Sequence, residues 1–176
     1  MLTLIKFLRS LIQGIASNAA PWQMAIGAGF GILLGFLPIF PLAVGPSLLG
    51  LSLLFCAILI NCHFASVMLF MGLGKLLGFA LLSPAVAIGN NFSGLAATSA
   101  DIPFLHYSLM SHTGYLGLTI LGFIAAPIIA LSMWIFTVWF RTKVQPKLIA
   151  RKKLILSGKV ATNPLGLKLA CWFMGI

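Results

Sequence analysis

Apolar residues run almost unbroken along this chain, and the few interruptions mark its elements. Leu4, Ile5, Leu8, Leu11, Ile12 and Ile15 recur at helical spacing, with Lys6, Arg9, Ser10 and Gln13 on the other side. That stripe predicts an amphipathic helix over residues 1–20, lying in a membrane interface. Pro21 suits the first turn of a second helix, where a missing N–H costs nothing, and Trp22 suits the interfacial belt. An apolar run from Gln23 to Leu37 follows and is stopped by Pro38, Pro41, Gly45 and Pro46. A second run covers Ser47 to Ile60, Asn61 breaks the pattern, and a third run extends over residues 62–82.

The first two runs are short for a hydrocarbon core of about 30 Å. Two arrangements fit residues 21–60: a re-entrant helical hairpin with its proline-rich turn at membrane depth, or two thin, tilted spans. Non-helical backbone at that depth is tolerated only when buried in protein or lining a wet cavity. The hairpin therefore predicts protein neighbours around Leu37 to Pro46. Residues 83–113 are the one long polar-leaning stretch and read as an outer loop, with a short interfacial helix near Ile102 to Leu109. Residues 114–140 form the clearest span, with a kink expected at Pro127. The fold class expected is an all-α integral membrane protein: interfacial helix, hairpin, two further transmembrane helices and a basic tail over residues 141–176.

Composition agrees with this. Hydrophobic residues are 61% of the 176 and charged residues 7%, where a soluble domain carries about 25% charged. The net charge is +10, with Asp101 as the single acid. All the basic residues but Lys75 lie toward the two ends. Lys6 and Arg9 stand at one, and Arg141, Lys143, Lys147, Arg151, Lys152 and Lys153 at the other. This places both termini in the cytoplasm and residues 83–113 outside. It also argues against nucleic acid as a partner. The tail is richer than orientation requires, so it is expected to meet anionic lipid headgroups or an acidic partner.

Candidate chemistry is sparse. Gly27, Gly31 and Gly35 form a flat strip on one helix face, for packing within the monomer or along a homo-oligomer seam. Lys75 is the only charge between Arg9 and Asp101, and it reads either as functional or as snorkelling to the interface. Asn61 and His63 read as groups that satisfy freed backbone at a helix break. His106, His112 and Asp101 share the outer loop but match no zinc-ligand spacing. No catalytic residue, cofactor or metal is expected. Gly31-Ile-Leu-Leu-Gly-Phe36 resembles Gly74-Lys-Leu-Leu-Gly-Phe79, a weak internal repeat.

The stretch from Ala20 to Pro38, a proline followed by an Ala/Gly-rich helix ending in Gly-x-x-Pro, resembles the opening motif of the domain-of-unknown-function 2062 family. Asn61 falls where that family places an asparagine. Ser111-His112-Thr113 departs from the polar patch expected before the last span, and the turn after Pro38 lacks polar side chains. The resemblance implies a bacterial inner-membrane location and a large envelope protein as partner, but no activity. The resulting expectation is a non-enzymatic subunit or anchor of an envelope complex that handles lipids. The alternative is a small transporter or lipid translocator using the broken hairpin and Lys75.

Overall fold

The computed structural model describes residues 20–38 and 47–147. The interfacial helix expected before Ala20, the turn residues Pro41 and Pro46, and the tail residues Arg151, Lys152 and Lys153 lie outside the described residues. Within them the chain is helical, with no strand: α1 (Pro21–Phe36), α2 (Leu48–Leu59), α3 (Phe64–Ala80), α4 (Leu82–Asn91), α5 (Ser93–Asp101), α6 (Pro103–Tyr107) and α7 (Thr113–Trp139). A π-helical turn, Phe140–Val144, carries α7 onward, so that one continuous helix runs from Thr113 to Lys147. It is long and apolar enough to cross a membrane. The pair α3 and α4, bent by 74° at Leu81, passes the same test only when taken together.

The central element is α1. It begins at Pro21, after Ala20 in extended backbone, and Ala20 N donates to Gln23 Oε1 at 3.3 Å. From Met24 to Phe36 nearly every residue is buried, because α3 and α7 both pack on it. Small residues set the distance to α3. A Cβ added at Gly27 would meet the His63 carbonyl oxygen, one at Gly31 the Val67 carbonyl oxygen, and one at Gly35 the Gly74 Cα at 2.6 Å. Ascending positions on α1 thus meet ascending positions on α3, so the two helices run parallel. The strip of Gly27, Gly31 and Gly35 packs inside the monomer, as the first of the two readings had it. The two repeat motifs also touch, at Gly35 and Gly74.

Against α7 the order reverses. Met24 clusters with Met133, Gly29 faces Ala126 and Ala130, and Phe36 faces Gly122. This antiparallel pairing fixes the level at which α1 ends. The end of α1 lies level with Gly122, nine residues into α7, which is about 13 Å short of the N-terminal end of α7 at 1.5 Å per residue. Helix α2 then returns, packing Leu53 and Leu54 beside Leu34 and Val67. At its far end His63 N donates to Gln23 O at 3.3 Å. The hairpin enters and leaves at one end of the bundle.

The stretch expected as an outer loop is largely helical. Residues 82–91, 93–101 and 103–107 form α4, α5 and α6. The span expected over residues 62–82 accordingly ends at Ala80 and bends into α4. The cause is small residues rather than apolar periodicity. Ala85 and Gly89 are buried against Gly117 and Thr113 of α7, so closely that a Cβ on Gly89 or Gly117 would collide with backbone. Polar residues around them do not stop a helix held by backbone approach. The helix α7 runs without a break through Pro127.

Large apolar side chains cover the outside. On α2, Phe55 and Leu59 are 61% and 66% exposed; on α3, Leu76 and Phe79 are 68% and 77% exposed; on α7, Ile135 is 70% exposed. Soluble monomers rarely expose contiguous apolar surface on this scale.

Candidate functional site

A helix ends with orphan carbonyls and begins with orphan N–H groups, and burial requires partners for both. The α1–α2 hairpin places one end of each type at its tip. At the end of α1, Leu37 and Pro38 are buried. Leu37 takes extended backbone and its N–H reaches Leu33 O at 3.1 Å. Its own carbonyl accepts from Lys75 Nζ at 2.6 Å. Lys75 arrives there because Gly74, its neighbour on α3, lies against Gly35. A cation at a helix C-terminus also opposes the helix dipole. Lys75, the lone charge of that stretch, is therefore joined to the end of α1, while Asp101 is exposed on α5.

The start of α2 is closed from the other side. Ser47, fully buried, caps α2 by accepting from Gly50 N at 3.3 Å. Its hydroxyl donates to Ser108 O at 3.4 Å. Leu49 N donates to Ser108 Oγ at 3.1 Å, and that hydroxyl donates onward to Phe104 O at 2.7 Å. Leu109, next in the chain, has a φ of 62°, which turns the backbone sharply at the end of α6. The chain beyond α4 thus folds back to cover the start of α2.

Beside Lys75 lies a cleft of about 330 Å³. Its walls are Phe36 and Pro38 from the end of α1, Gly78 and Phe79 from α3, and Tyr115 and Leu118 from α7. The lining residues are apolar apart from Lys75 and Tyr115. A second cleft, about 240 Å³ and wholly apolar in its side chains, separates α1 from α7 beside Gly29 and Pro127.

The opposite end of the hairpin carries its own polar closure. Asn61 has a φ of 55°, a conformation that asparagine tolerates. His63 caps α3, its Nδ1 accepting from Ser66 N at 3.3 Å. Ser66 Oγ donates to Met24 O at 3.1 Å and is fully buried. His63 and Asn61 lie at the break between α2 and α3, and of the two it is His63 whose side chain meets a freed backbone group.

Other candidates do not converge. His106 and His112 are exposed, each edge-on to a tyrosine, Tyr107 and Tyr115. Among the described residues no group of three His, Cys, Asp or Glu side chains could hold a metal. Arg141, Lys143 and Lys147 lie on the last turns of the long helix, Lys143 and Lys147 exposed. The residues that sequence reasoning missed are serines. Ser47 was legible as a cap, standing just before an apolar run. Nothing local marks Ser66 or Ser108, whose partners lie 42 and 59 residues away.

Among the described residues the arrangement is an all-helical bundle in which a lysine closes the end of α1 and a pair of serines the start of α2. No family model, curated protein or solved structure matches the chain.

Proposed function

We propose that this chain is a multi-pass protein of a bacterial inner membrane in which α1 and α2 form a re-entrant hairpin. It acts as a non-enzymatic subunit or anchor of an envelope complex that handles lipids. The observation that carries the reading is the depth at which α1 ends. Phe36 lies level with Gly122, well inside the length of a helix able to cross a membrane. Lys75 closes the end of α1 and Ser108 the start of α2, and partners of this kind are the condition for breaking a helix within a bilayer. Exposed apolar side chains on α2, α3 and α7 suit contact with lipid. In this reading α3 with α4, and α7, cross the membrane. Both chain ends face the cytoplasm, and Arg141, Lys143 and Lys147 meet anionic headgroups there with Arg151, Lys152 and Lys153.

The depth is tested with a single cysteine at Ala43, in the turn, on a background with Cys56, Cys62 and Cys171 replaced. A membrane-impermeant maleimide added to spheroplasts is expected to leave it unlabelled. Labelling at the rate of a cysteine placed at Asp101 would replace the hairpin with two spans. The subunit reading is tested by purification in mild detergent at native expression. A large envelope partner is expected to co-purify, and recovery of a lone monomer overturns it.

A second reading, a small transporter or lipid translocator, is favoured by the cleft beside Lys75. Broken helix ends combined with an intramembrane charge are the materials of transporter sites. Lipid or solute flux in proteoliposomes, lost on Lys75→Ala, supports it; absence of flux removes it.

A further inference from the structure

The cleft beside Lys75 has the chemistry of a binding site. An ammonium carries three N–H donors, and among the described residues its acceptor is the Leu37 carbonyl alone. Among the described residues, two of its donors have no acceptor. Tyr115 lines the same cleft, and its hydroxyl makes no hydrogen bond with the described residues. The chain offers no carboxylate to Lys75: its single acid, Asp101, is exposed on α5. A charge held among Phe36, Pro38, Phe79 and Leu118 without a counter-ion is costly, and an anion that enters the cleft relieves that cost. The walls require the anion to bring apolar surface with it. The volume, about 330 Å³, is at the lower end for small-molecule sites and suits a head group with the start of one chain. Around Lys75, Leu76 and Phe79 are among the most exposed side chains of the molecule, so a chain leaving the cleft continues over apolar surface.

We propose that the cleft between α1, α3 and α7 binds the anionic head of a single acyl amphiphile. The oxyanion lies between Lys75 and Tyr115, and the first part of the chain runs over Phe36 and Leu118. The head is a carboxylate or a phosphate, the chemistry that both a fatty acid and an acidic phospholipid present. This inference rests on the membrane-embedded reading and names the ligand class of the same hairpin-tip site.

The test uses the full chain in a neutral detergent, titrated separately with oleate, phosphatidylglycerol, phosphatidylcholine and inorganic phosphate, with bound ligand counted by native mass spectrometry. Lys143→Ala and Lys147→Ala are made together as a background that lowers binding at the basic end of α7. One equivalent of oleate or phosphatidylglycerol is expected to remain bound, and whichever of the two binds more tightly identifies the source of the head group. Lys75→Met is expected to weaken it about tenfold or more, as for losing a hydrogen bond between charged groups, and Lys75→Arg is expected to restore most of it. Tyr115→Phe is expected to weaken it less.

Because Lys75→Met also removes the Leu37 contact, a second variant leaves that contact in place. A Cβ at Gly78 would meet Leu118 and Phe36 only at 3.9 and 4.0 Å. Gly78→Ala is therefore tolerated, while Gly78→Leu fills the cleft and is expected to abolish binding. Undiminished binding in both Lys75→Met and Gly78→Leu overturns the proposal. So does equal binding of phosphatidylcholine, or phosphate binding as tightly as oleate. Failure of the membrane reading is seen separately, as release of the chain from membranes by alkaline carbonate.

Discussion

Ser108 holds the start of a helix whose cap lies sixty-one residues before it in sequence: its carbonyl accepts from Ser47 Oγ at 3.4 Å. Its hydroxyl also accepts from Leu49 N at 3.1 Å, so one residue meets both the capping hydroxyl and an N–H freed at the start of α2. Ser108→Ala leaves Leu49 N without that acceptor and is expected to cost about 1 kcal/mol, the usual size of a lost hydrogen bond. Ser47→Ala removes the cap of α2 and is expected to cost about the same. Because the two serines share one network, the double variant is expected to lose less than the sum of the singles. Thermal unfolding in detergent measures all three, and strict additivity would show that the closure does not act as a unit.

The glycines separate into two groups whose substitutions have opposite signs. At Gly35 an added Cβ would come within 2.6 Å of Gly74 Cα, and at Gly31 within 2.8 Å of Phe70 Cβ. Gly35→Ala and Gly31→Ala are expected to destabilise by about 1–3 kcal/mol, as overpacking does. Gly72 and Gly94 meet nothing within 4 Å. Gly72→Ala and Gly94→Ala are expected to be neutral, or to stabilise by up to about 1 kcal/mol through helix propensity. Melting temperatures of the four single variants check the division.

Stability is expected to depend on the charge of His63. Burial holds its imidazole below the ordinary value, and its Nδ1 must be unprotonated to accept from Ser66 N. Above about pH 6.5, the value for a free imidazole, folded and unfolded states both carry neutral His63 and no penalty exists. As pH falls through that value the unfolded chain takes up the proton first, so stability declines until the folded pKa is passed. His63→Asn keeps a capping acceptor and removes the titration. Melting temperature measured from pH 7.5 down to pH 5 is expected to fall more steeply in the wild type than in the variant; parallel curves would assign the decline to other groups.

Cys56 provides a test of surroundings rather than of fold. It is exposed on α2, beside Phe55 and Leu59. With Cys62→Ala and Cys171→Ser in place, a lipid-soluble maleimide is expected to modify Cys56 in intact membranes, and a charged, impermeant reagent is expected to do so only after solubilisation. Rapid reaction with the charged reagent in membranes would place this face of α2 in water.

Much of the frame was legible from the sequence. Pro21 and Pro38 bound α1 closely, because a proline can open a helix and the residue before one resists continuing it. The strip of Gly27, Gly31 and Gly35 marked a close contact, though not its partner. Residues 114–140 stood out by length alone. The stretch from Leu82 to Tyr107 was less legible, since its helices are held by Ala85 and Gly89 against Gly117, and small residues leave little periodic signal. At the hairpin tip, Lys75 was conspicuous as a lone charge, but its acceptor is a backbone carbonyl, which every residue possesses and no sequence pattern announces. Ser66 and Ser108 were illegible for the same reason. Their importance is assigned by helix ends far away in the chain.

The burial of α1 between α3 and α7 has a consequence for biosynthesis. Of the helices described, α1 is the first to be synthesised, yet both of its walls are made later, and one of its neighbours, Phe140, comes more than a hundred residues afterwards. Its glycine face must therefore wait, unburied, while the rest of the bundle emerges. The molecule closes around its oldest helix only when its youngest arrives.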